Sequence, residues 1–146
     1  SSYVGKAPRF PGIEAAEHYV RAVSAPFGPH SDAQWRILTE HAVRREPDGQ
    51  YRIHYDPAIA VQFAAGANRA TPGKDMELWS YYDAIRCPTL VLRGAQSDLL
   101  THETAVAMSR RGPKARLVEF EGVGHAPTLM HDDQIAAVAS FLLENR

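Results

Sequence analysis

Residues 87–98 have the sequence CPTLVLRGAQSD, in which residues 89–92 form a continuous apolar run. Pro88 and Gly94 flank this run, and both residue types commonly end regular structure. A short uninterrupted apolar run is typical of a strand buried on both faces, as in a parallel sheet. We therefore predict a buried strand here, followed by a polar loop that contains Asp98.

A second strand is predicted at residues 116–120, with the sequence RLVEF. A helix is predicted between the two strands, capped near Thr101 and ended by Gly112. Apolar residues at helical spacing predict a last helix, and they are Ile135, Val138, Ala139 and Leu142. This order predicts a right-handed parallel crossover in an α/β sheet. Because two strands alone do not make a stable parallel sheet, we expect the end of a larger fold.

In the rest of the chain, the spacing of apolar residues and the turn-forming residues predict short helices separated by turns. Apolar residues recur at helical spacing from Gly12 to Val23, and Ser31 or Asp32 can cap a second helix. Glu46-Pro-Asp-Gly49 has the composition of a turn. Weaker patterns predict an extended segment over 51–55, a helix from Asp56 through Phe63, a loop over 66–73 and a helix over 76–85.

The bulk composition is that of a soluble globular domain, with 146 residues, 45% of them hydrophobic and 23% charged. The formal net charge is -1, so the chain lacks the excess of positive charge that would indicate binding to nucleic acid or to an anionic membrane. No apolar stretch approaches the roughly 20 residues that span a bilayer, and no signal peptide opens the chain. The single cysteine, Cys87, fits a reducing compartment. We therefore expect a cytoplasmic protein that binds neither nucleic acid nor a membrane surface.

Asp98 and His125 each follow one of the two predicted strands. Chemistry in open α/β sheets gathers beyond the carboxyl ends of the strands. If the strands are adjacent and parallel, Asp98 can accept a hydrogen bond from His125, which fixes the imidazole tautomer and stabilises its charged form. The base of a Ser-His-Asp triad requires this arrangement. Gly94, Gly122 and Gly124 permit the sharp turns that such a placement needs.

Residues 87–144 resemble the C-terminal end of an α/β-hydrolase fold enzyme. The matching motifs are Cys87-Pro-Thr-Leu-Val-Leu-Arg-Gly94, Ser97-Asp98-Leu99 and Gly122-Val-Gly-His-Ala-Pro127. In that family the triad acid follows the penultimate strand and the histidine follows the last strand. The resemblance implies that Asp98 is the acid, that His125 is the base, and that the substrate is an ester or related acyl compound, with no cofactor. It also implies a helical cap over residues 1–73 and a C-terminal segment of hydrolase core over residues 74–146.

The nucleophile of such a triad is missing from the sequence. None of the eight serines has glycine at both -2 and +2, so the Gly-x-Ser-x-Gly elbow is absent, and no aspartate or cysteine version replaces it. Ser97 neighbours Asp98 but lacks the elbow. We therefore expect the cap and C-terminal end of a hydrolase whose nucleophile-bearing half lies before Ser1, and we expect the chain by itself to be inactive.

Two alternative functions stay open, and a metal site is not expected. An aspartate nucleophile would indicate a dehalogenase or an epoxide hydrolase, and the latter uses cap tyrosines, here Tyr19, Tyr51 and Tyr55. A non-catalytic binding module would instead cover its exposed sheet edge by forming a homodimer. No two of the seven histidines are three or four residues apart, and there is no cysteine cluster, so the sequence lacks a metal-binding pattern.

Overall fold

The computed structural model describes residues 8–56, 58 and 78–144. These residues fall into two compact units. The first unit contains residues 8–25, 30–56 and 58, and the second contains residues 26–29 and 78–144. The helix predicted from Asp56 through Phe63 and the loop predicted over 66–73 lie outside the described residues.

The first unit consists of two helices and a three-stranded antiparallel sheet. Its elements are β1 (Arg9–Phe10), α1 (Ile13–Val23), α2 (Asp32–Ala42), β2 (Val43–Arg45) and β3 (Tyr51–Ile53). The strand order is β1-β3-β2, and the predicted turn Glu46–Gly49 joins β2 to β3. Both predicted helices and the turn are confirmed. The sheet is not predicted as a whole, because strands of two or three residues are too short to show a periodic pattern.

Local sequence explains where α2 begins. The Ser31 hydroxyl accepts a hydrogen bond from the Gln34 backbone N–H over 3.2 Å, and the Gln34 side chain accepts one from the Ser31 N–H over 2.8 Å. This reciprocal capping box satisfies two backbone donors that the first helical turn leaves open. Within the helix, Thr39 is fully buried and its hydroxyl donates to the Trp35 carbonyl over 2.9 Å.

The core of the first unit lies between α1 and one face of the sheet. Phe10, Ala16 and Val43 are buried there. The rings of Phe10 and Tyr19 are 5.2 Å apart between centroids, a tilted aromatic contact. Burying these apolar side chains is the main source of stability for so small a unit.

A row of three arginines crosses the same sheet. Arg9, Arg52 and Arg44 lie directly opposite one another on the three strands. Their chain neighbours Phe10 and Val43 point into the core, so the arginines point to the opposite face. Two carboxylates of the β2–β3 turn pair with the row: Asp48 bonds to Arg9 over 2.6 Å, and Glu46 bonds to both Arg44 and Arg52.

The second unit contains a pair of parallel strands with helices around it, as predicted. Its elements are α3 (Trp79–Asp83), β4 (Leu90–Gly94), α4 (His102–Met108), β5 (Arg116–Phe120) and α5 (Asp132–Glu144). β4 and β5 pair in parallel from Leu90↔Arg116 to Gly94↔Phe120. Residues 26–29 belong to this unit although they fall within the range predicted for the cap.

Element ends differ from the sequence-based predictions for local reasons. β4 continues to Gly94, because its ladder with β5 includes Arg93 and Gly94. α4 ends at Met108 rather than near Gly112; the Ser109 hydroxyl donates to the Val106 carbonyl over 2.8 Å there and competes with helix continuation.

The last helix presents apolar side chains to solvent. α5 is helical as predicted, yet Ile135 is 49% exposed and Leu142 is 60% exposed, while Gln134 is the buried residue of the helix. Within the described ranges, no helix is both long and apolar enough to cross a bilayer.

Candidate active site

The loops that contain Asp98 and His125 leave adjacent strand ends. Gly94 and Phe120 are register partners at the carboxyl ends of β4 and β5. Beyond the strands, the Ala95 N–H donates to the Phe120 carbonyl and the Gln96 N–H donates to the Val123 carbonyl, each over 2.9 Å. The backbone ladder therefore continues past the sheet and holds the two loops side by side.

Gly94 makes this continuation sterically feasible. A β-carbon at position 94 would lie 2.1 Å from the Gly124 carbonyl oxygen and 2.3 Å from the Val123 carbonyl oxygen. Such distances are far inside van der Waals contact, so any side chain would push the second loop away. The requirement at Gly94 is thus close approach of two backbones, rather than the sharp departure from the strand that the sequence suggests.

Asp98 lies in a compact turn, Ser97–Leu100, that follows β4. The Ser97 N–H donates to the Gly94 carbonyl over 2.9 Å, and the Ser97 hydroxyl accepts hydrogen bonds from the backbone N–H groups of Leu99 (3.4 Å) and Leu100 (3.1 Å). The side chain of Asp98 is exposed. The Ser97 hydroxyl therefore stabilises the turn, which agrees with the interpretation that Ser97 is not the nucleophile.

His125 follows a loop that is fixed on its other side by residues 26–29. Gly122 has a φ of 73°, in the left-handed region that glycine tolerates. The Gly124 N–H donates to the Pro26 carbonyl over 2.6 Å, and Val123 is buried. His125 itself is exposed. The side chains of Asp98 and His125 are thus both accessible to solvent, and backbone hydrogen bonds hold the loops that contain them.

The two side chains do not form a hydrogen bond with each other in this structure: among the described residues, none joins Asp98 to His125. The structure brings together the two loops, and the acid–base pairing of the side chains remains a prediction. Catalytic hydrogen bonds are often long in unliganded enzymes and tighten when substrate binds. Across the described ranges, no group of three or more His, Cys, Asp or Glu side chains has a metal-binding arrangement.

A charge cluster that contacts the Asp98 turn, formed by Arg93, Glu119 and His102, was not predicted from the sequence. Arg93 is 6% exposed and its Nη1 donates to Glu119 Oε1 over 2.5 Å. The same carboxylate contacts the His102 ring over 3.0 Å. Hydrogen bonds from His102 and from Arg93 lower the pKa of Glu119 below its ordinary value. The only sequence signal for this cluster is that Arg93 and Glu119 are each the next-to-last residue of their strand.

The three tyrosines named for the epoxide hydrolase alternative do not share one environment. Tyr19 and Tyr51 pack against the core of the first unit. Tyr55 lines a cavity of about 430 Å³ together with Arg44, Arg52, His54 and Asp56.

Comparison with known proteins supports the hydrolase interpretation. The chain is 40% identical over 143 residues to the 3-hydroxybutyrate-oligomer hydrolase of Cupriavidus necator, a match that covers 96% of this chain and 49% of the relative. The chain therefore spans about half the length of the curated relative it matches. No protein-family profile matches the sequence.

Two solved structures have the same fold over nearly the whole chain. An α/β hydrolase from Novosphingobium aromaticivorans matches with a TM-score of 0.78 and 33% identity, covering 97% of this chain and 49% of that structure. A structure from Rickettsia typhi matches with a TM-score of 0.82 and 30% identity, covering 99% of this chain and 47% of that structure. The chain has half of the α/β-hydrolase fold, and the predicted fold class is confirmed.

Proposed function

We propose that this chain, with its half of an α/β-hydrolase fold, supplies the acid and the general base of a hydrolase that cleaves carboxylic esters. Asp98 is the acid and His125 is the base. The observation that carries the proposal is the continuous backbone pairing beyond Gly94 and Phe120, which holds the two loops side by side at the carboxyl ends of β4 and β5. Ligand chemistry in open α/β sheets gathers at this edge.

The proposed reaction follows the two-step logic of covalent ester hydrolysis. A nucleophile hydroxyl from outside these 146 residues attacks the ester carbonyl carbon, and His125 takes its proton. The ester C–O bond then breaks, and the leaving alcohol takes the proton from His125. A water molecule attacks the acyl intermediate and gives one proton to His125. The bond between the acyl carbon and the nucleophile oxygen then breaks, that oxygen takes the proton back from His125, and the carboxylic acid product loses its remaining proton to water. Asp98 holds the imidazole in the correct tautomer and stabilises its charged form throughout.

The proposed substrate class is a linear hydroxyacid ester. The curated relative, 40% identical over 143 residues, is named for hydrolysis of 3-hydroxybutyrate oligomers, whose units are joined by ester bonds. This likeness extends through the segment with Asp98 and His125, since it covers 96% of the chain. A dimer of 3-hydroxybutyrate is therefore the substrate to test first.

The decisive experiment measures hydrolysis of this dimer by the whole gene product, with 3-hydroxybutyrate release as the readout. We expect His125→Ala and Asp98→Asn each to lower kcat by about ten-thousand-fold. The control is His41→Ala, because His41 is an exposed residue near the end of α2. Near-normal turnover by His125→Ala, with His41→Ala equally active, would show that the triad assignment is wrong.

A second experiment locates the nucleophile and tests the aspartate alternative. A fluorophosphonate probe reacts with an activated serine, and we expect it to label one serine outside residues 1–146 of the whole gene product. No ester turnover is expected from the 146-residue chain alone. Labelling of Ser97, or turnover by the isolated chain that His125→Ala abolishes, would contradict the proposal. An active enzyme that the probe leaves unlabelled would favour an aspartate nucleophile.

A further inference from the structure

Arg93 is a buried cation in the strand that leads to Asp98. It is the next-to-last residue of β4, its side chain is 6% exposed, and its register partner is Glu119 on β5. A buried charge is tolerated only when a counter-ion and hydrogen bonds replace the water it has lost. Glu119 Oε1, 2.5 Å from Arg93 Nη1, provides the counter-ion.

The rest of the guanidinium faces the turn that contains Asp98. Arg93 Nε donates to the Leu100 carbonyl oxygen over 2.6 Å, and Arg93 Nη2 lies 3.5 Å from the Ser97 carbonyl oxygen. These two carbonyls are the first and last of the four-residue turn Ser97–Leu100. Because the guanidinium is planar and rigid, contacts to both ends fix the turn as a unit.

Asp98 depends on this turn for its position. Its side chain is exposed, and among the described residues it has no hydrogen-bond partner that would orient it independently. The backbone of the turn therefore sets the direction of the Asp98 Cα–Cβ bond, and with it the positions that the carboxylate can reach. The far side of the cluster is also anchored, because His102 in the first turn of α4 contacts Glu119 over 3.0 Å.

We propose that Arg93 is the positioning residue for the triad acid: its guanidinium, held by Glu119, fixes both ends of the Ser97–Leu100 turn and so directs Asp98 toward the His125 loop. This inference rests on the proposed function. Arg93 does not touch substrate, and it acts on catalysis only through Asp98.

A double-mutant cycle on the whole gene product tests the proposal. The four proteins are wild type, Arg93→Met, Asp98→Asn and the double variant, assayed for kcat and KM on p-nitrophenyl butyrate. We expect Arg93→Met to lower kcat by about 10- to 100-fold with KM nearly unchanged, because a small misplacement of a catalytic group has an effect of this size. In the Asp98→Asn background the same change should cause almost no further loss, because residues that act as a unit are not additive.

The control is Arg116→Met. Arg116 is a β5 arginine whose exposed ion pair with Glu144 is 2.8 Å long and does not involve the turn. We expect this variant to keep wild-type kcat. Equal losses from Arg93→Met in both backgrounds, or no loss at all, would overturn the inference while leaving the triad intact. An unchanged kcat in Asp98→Asn would overturn the proposed function itself, and the inference with it.

Two milder variants answer the question if Arg93→Met does not fold, as judged by its far-ultraviolet circular dichroism. Arg93→Lys keeps the positive charge beside Glu119, but one ammonium group cannot reproduce the planar fork. Glu119→Gln keeps a hydrogen-bond acceptor and removes the counter-ion. Both should lose kcat in the wild-type background and much less in the Asp98→Asn background. Wild-type kcat in both variants would overturn the inference.

Discussion

Gly94 and Gly124 pack backbone against backbone, so that a β-carbon on Gly94 would lie 2.1 Å from the Gly124 carbonyl oxygen. We predict that Gly94→Ala destabilises the fold by roughly 1–3 kcal/mol, the usual range for an overpacked position. Chemical denaturation followed by circular dichroism measures the change. Gly12→Ala is the comparison, because its β-carbon would meet only the flexible Glu14 carboxylate, at 3.3 Å, and its expected loss is the roughly 0.5–1 kcal/mol of alanine at the N-cap of α1. A Gly94→Ala variant as stable as wild type would show that the loops have room to separate.

Ser31 closes the capping box at the start of α2. Ser31→Ala removes the hydroxyl that accepts the Gln34 N–H, so we expect the free energy of unfolding to fall by about 1 kcal/mol. The matched control is Ser24→Ala, at the C-cap of α1, where the backbone N–H and not the side chain makes the capping bond to Val20. Denaturant titrations of both variants check the difference. A loss of stability in Ser24→Ala as large as in Ser31→Ala would contradict the capping role.

Phe10 is the largest buried side chain of the first unit's core cluster, at 7% exposed. We predict that Phe10→Ala lowers the free energy of unfolding by about 3–5 kcal/mol, because it removes an aromatic contact with Tyr19 and leaves a cavity. Ile37→Ala is the comparison, since Ile37 is 45% exposed in the same unit. Thermal and denaturant unfolding should separate the two clearly. A similar, small effect from both substitutions would mean that this core is not tightly packed.

Glu119 should make the free energy of unfolding depend on pH in the acidic range. Hydrogen bonds from His102 and Arg93 lower its pKa in the folded chain below the ordinary 4.5, so near and below that pH the unfolded chain binds the proton more readily. The stability that this carboxylate contributes is fully present above about pH 5 and is lost as pH falls through the lower, folded pKa.

The test of this pH dependence is the difference in unfolding free energy between wild type and Glu119→Gln, measured from pH 7 down to pH 3. Other titrating groups are shared by the two proteins and largely cancel. We expect wild type to be the more stable at pH 7 and the difference to shrink as the pH falls. A difference that stays constant over this range would show that Glu119 is not ion-paired in solution.

The part of the fold that the sequence predicts is the part with long, regular patterns. Residues 89–92 predict β4 because a strand buried on both faces needs an uninterrupted apolar run, and Leu117, Val118 and Phe120 predict β5. Ser31 and Thr101 mark helix starts because their hydroxyls cap the backbone. β1 and β2 are not predicted because segments of two or three residues show no period, and the pairing of β1 with β3 joins residues distant in the chain.

The candidate site is predicted less completely than the fold. Asp98 and His125 can be named from their places after strands, since strand ends set where loops meet. The pairing of Arg93 with Glu119 depends on the register of β4 against β5, and a single charged residue in an apolar strand does not reveal its partner. The apolar face of α5 shows another limit of prediction. Helical periodicity predicts that Ile135 and Leu142 share a face of the helix, but it does not determine whether that face is buried, and here both residues are exposed.

The arginine row across the first unit's sheet also fixes the register in which the three strands pair. Side chains alternate between faces, so a slip of one residue in β2 or β3 would turn Arg44 or Arg52 toward Phe10 and leave Val43 or Ile53 in water. Burying an unpaired guanidinium is far less favourable than leaving it beside Glu46. The arginine row therefore disfavours misaligned pairings of strands that are too short to define their own alignment.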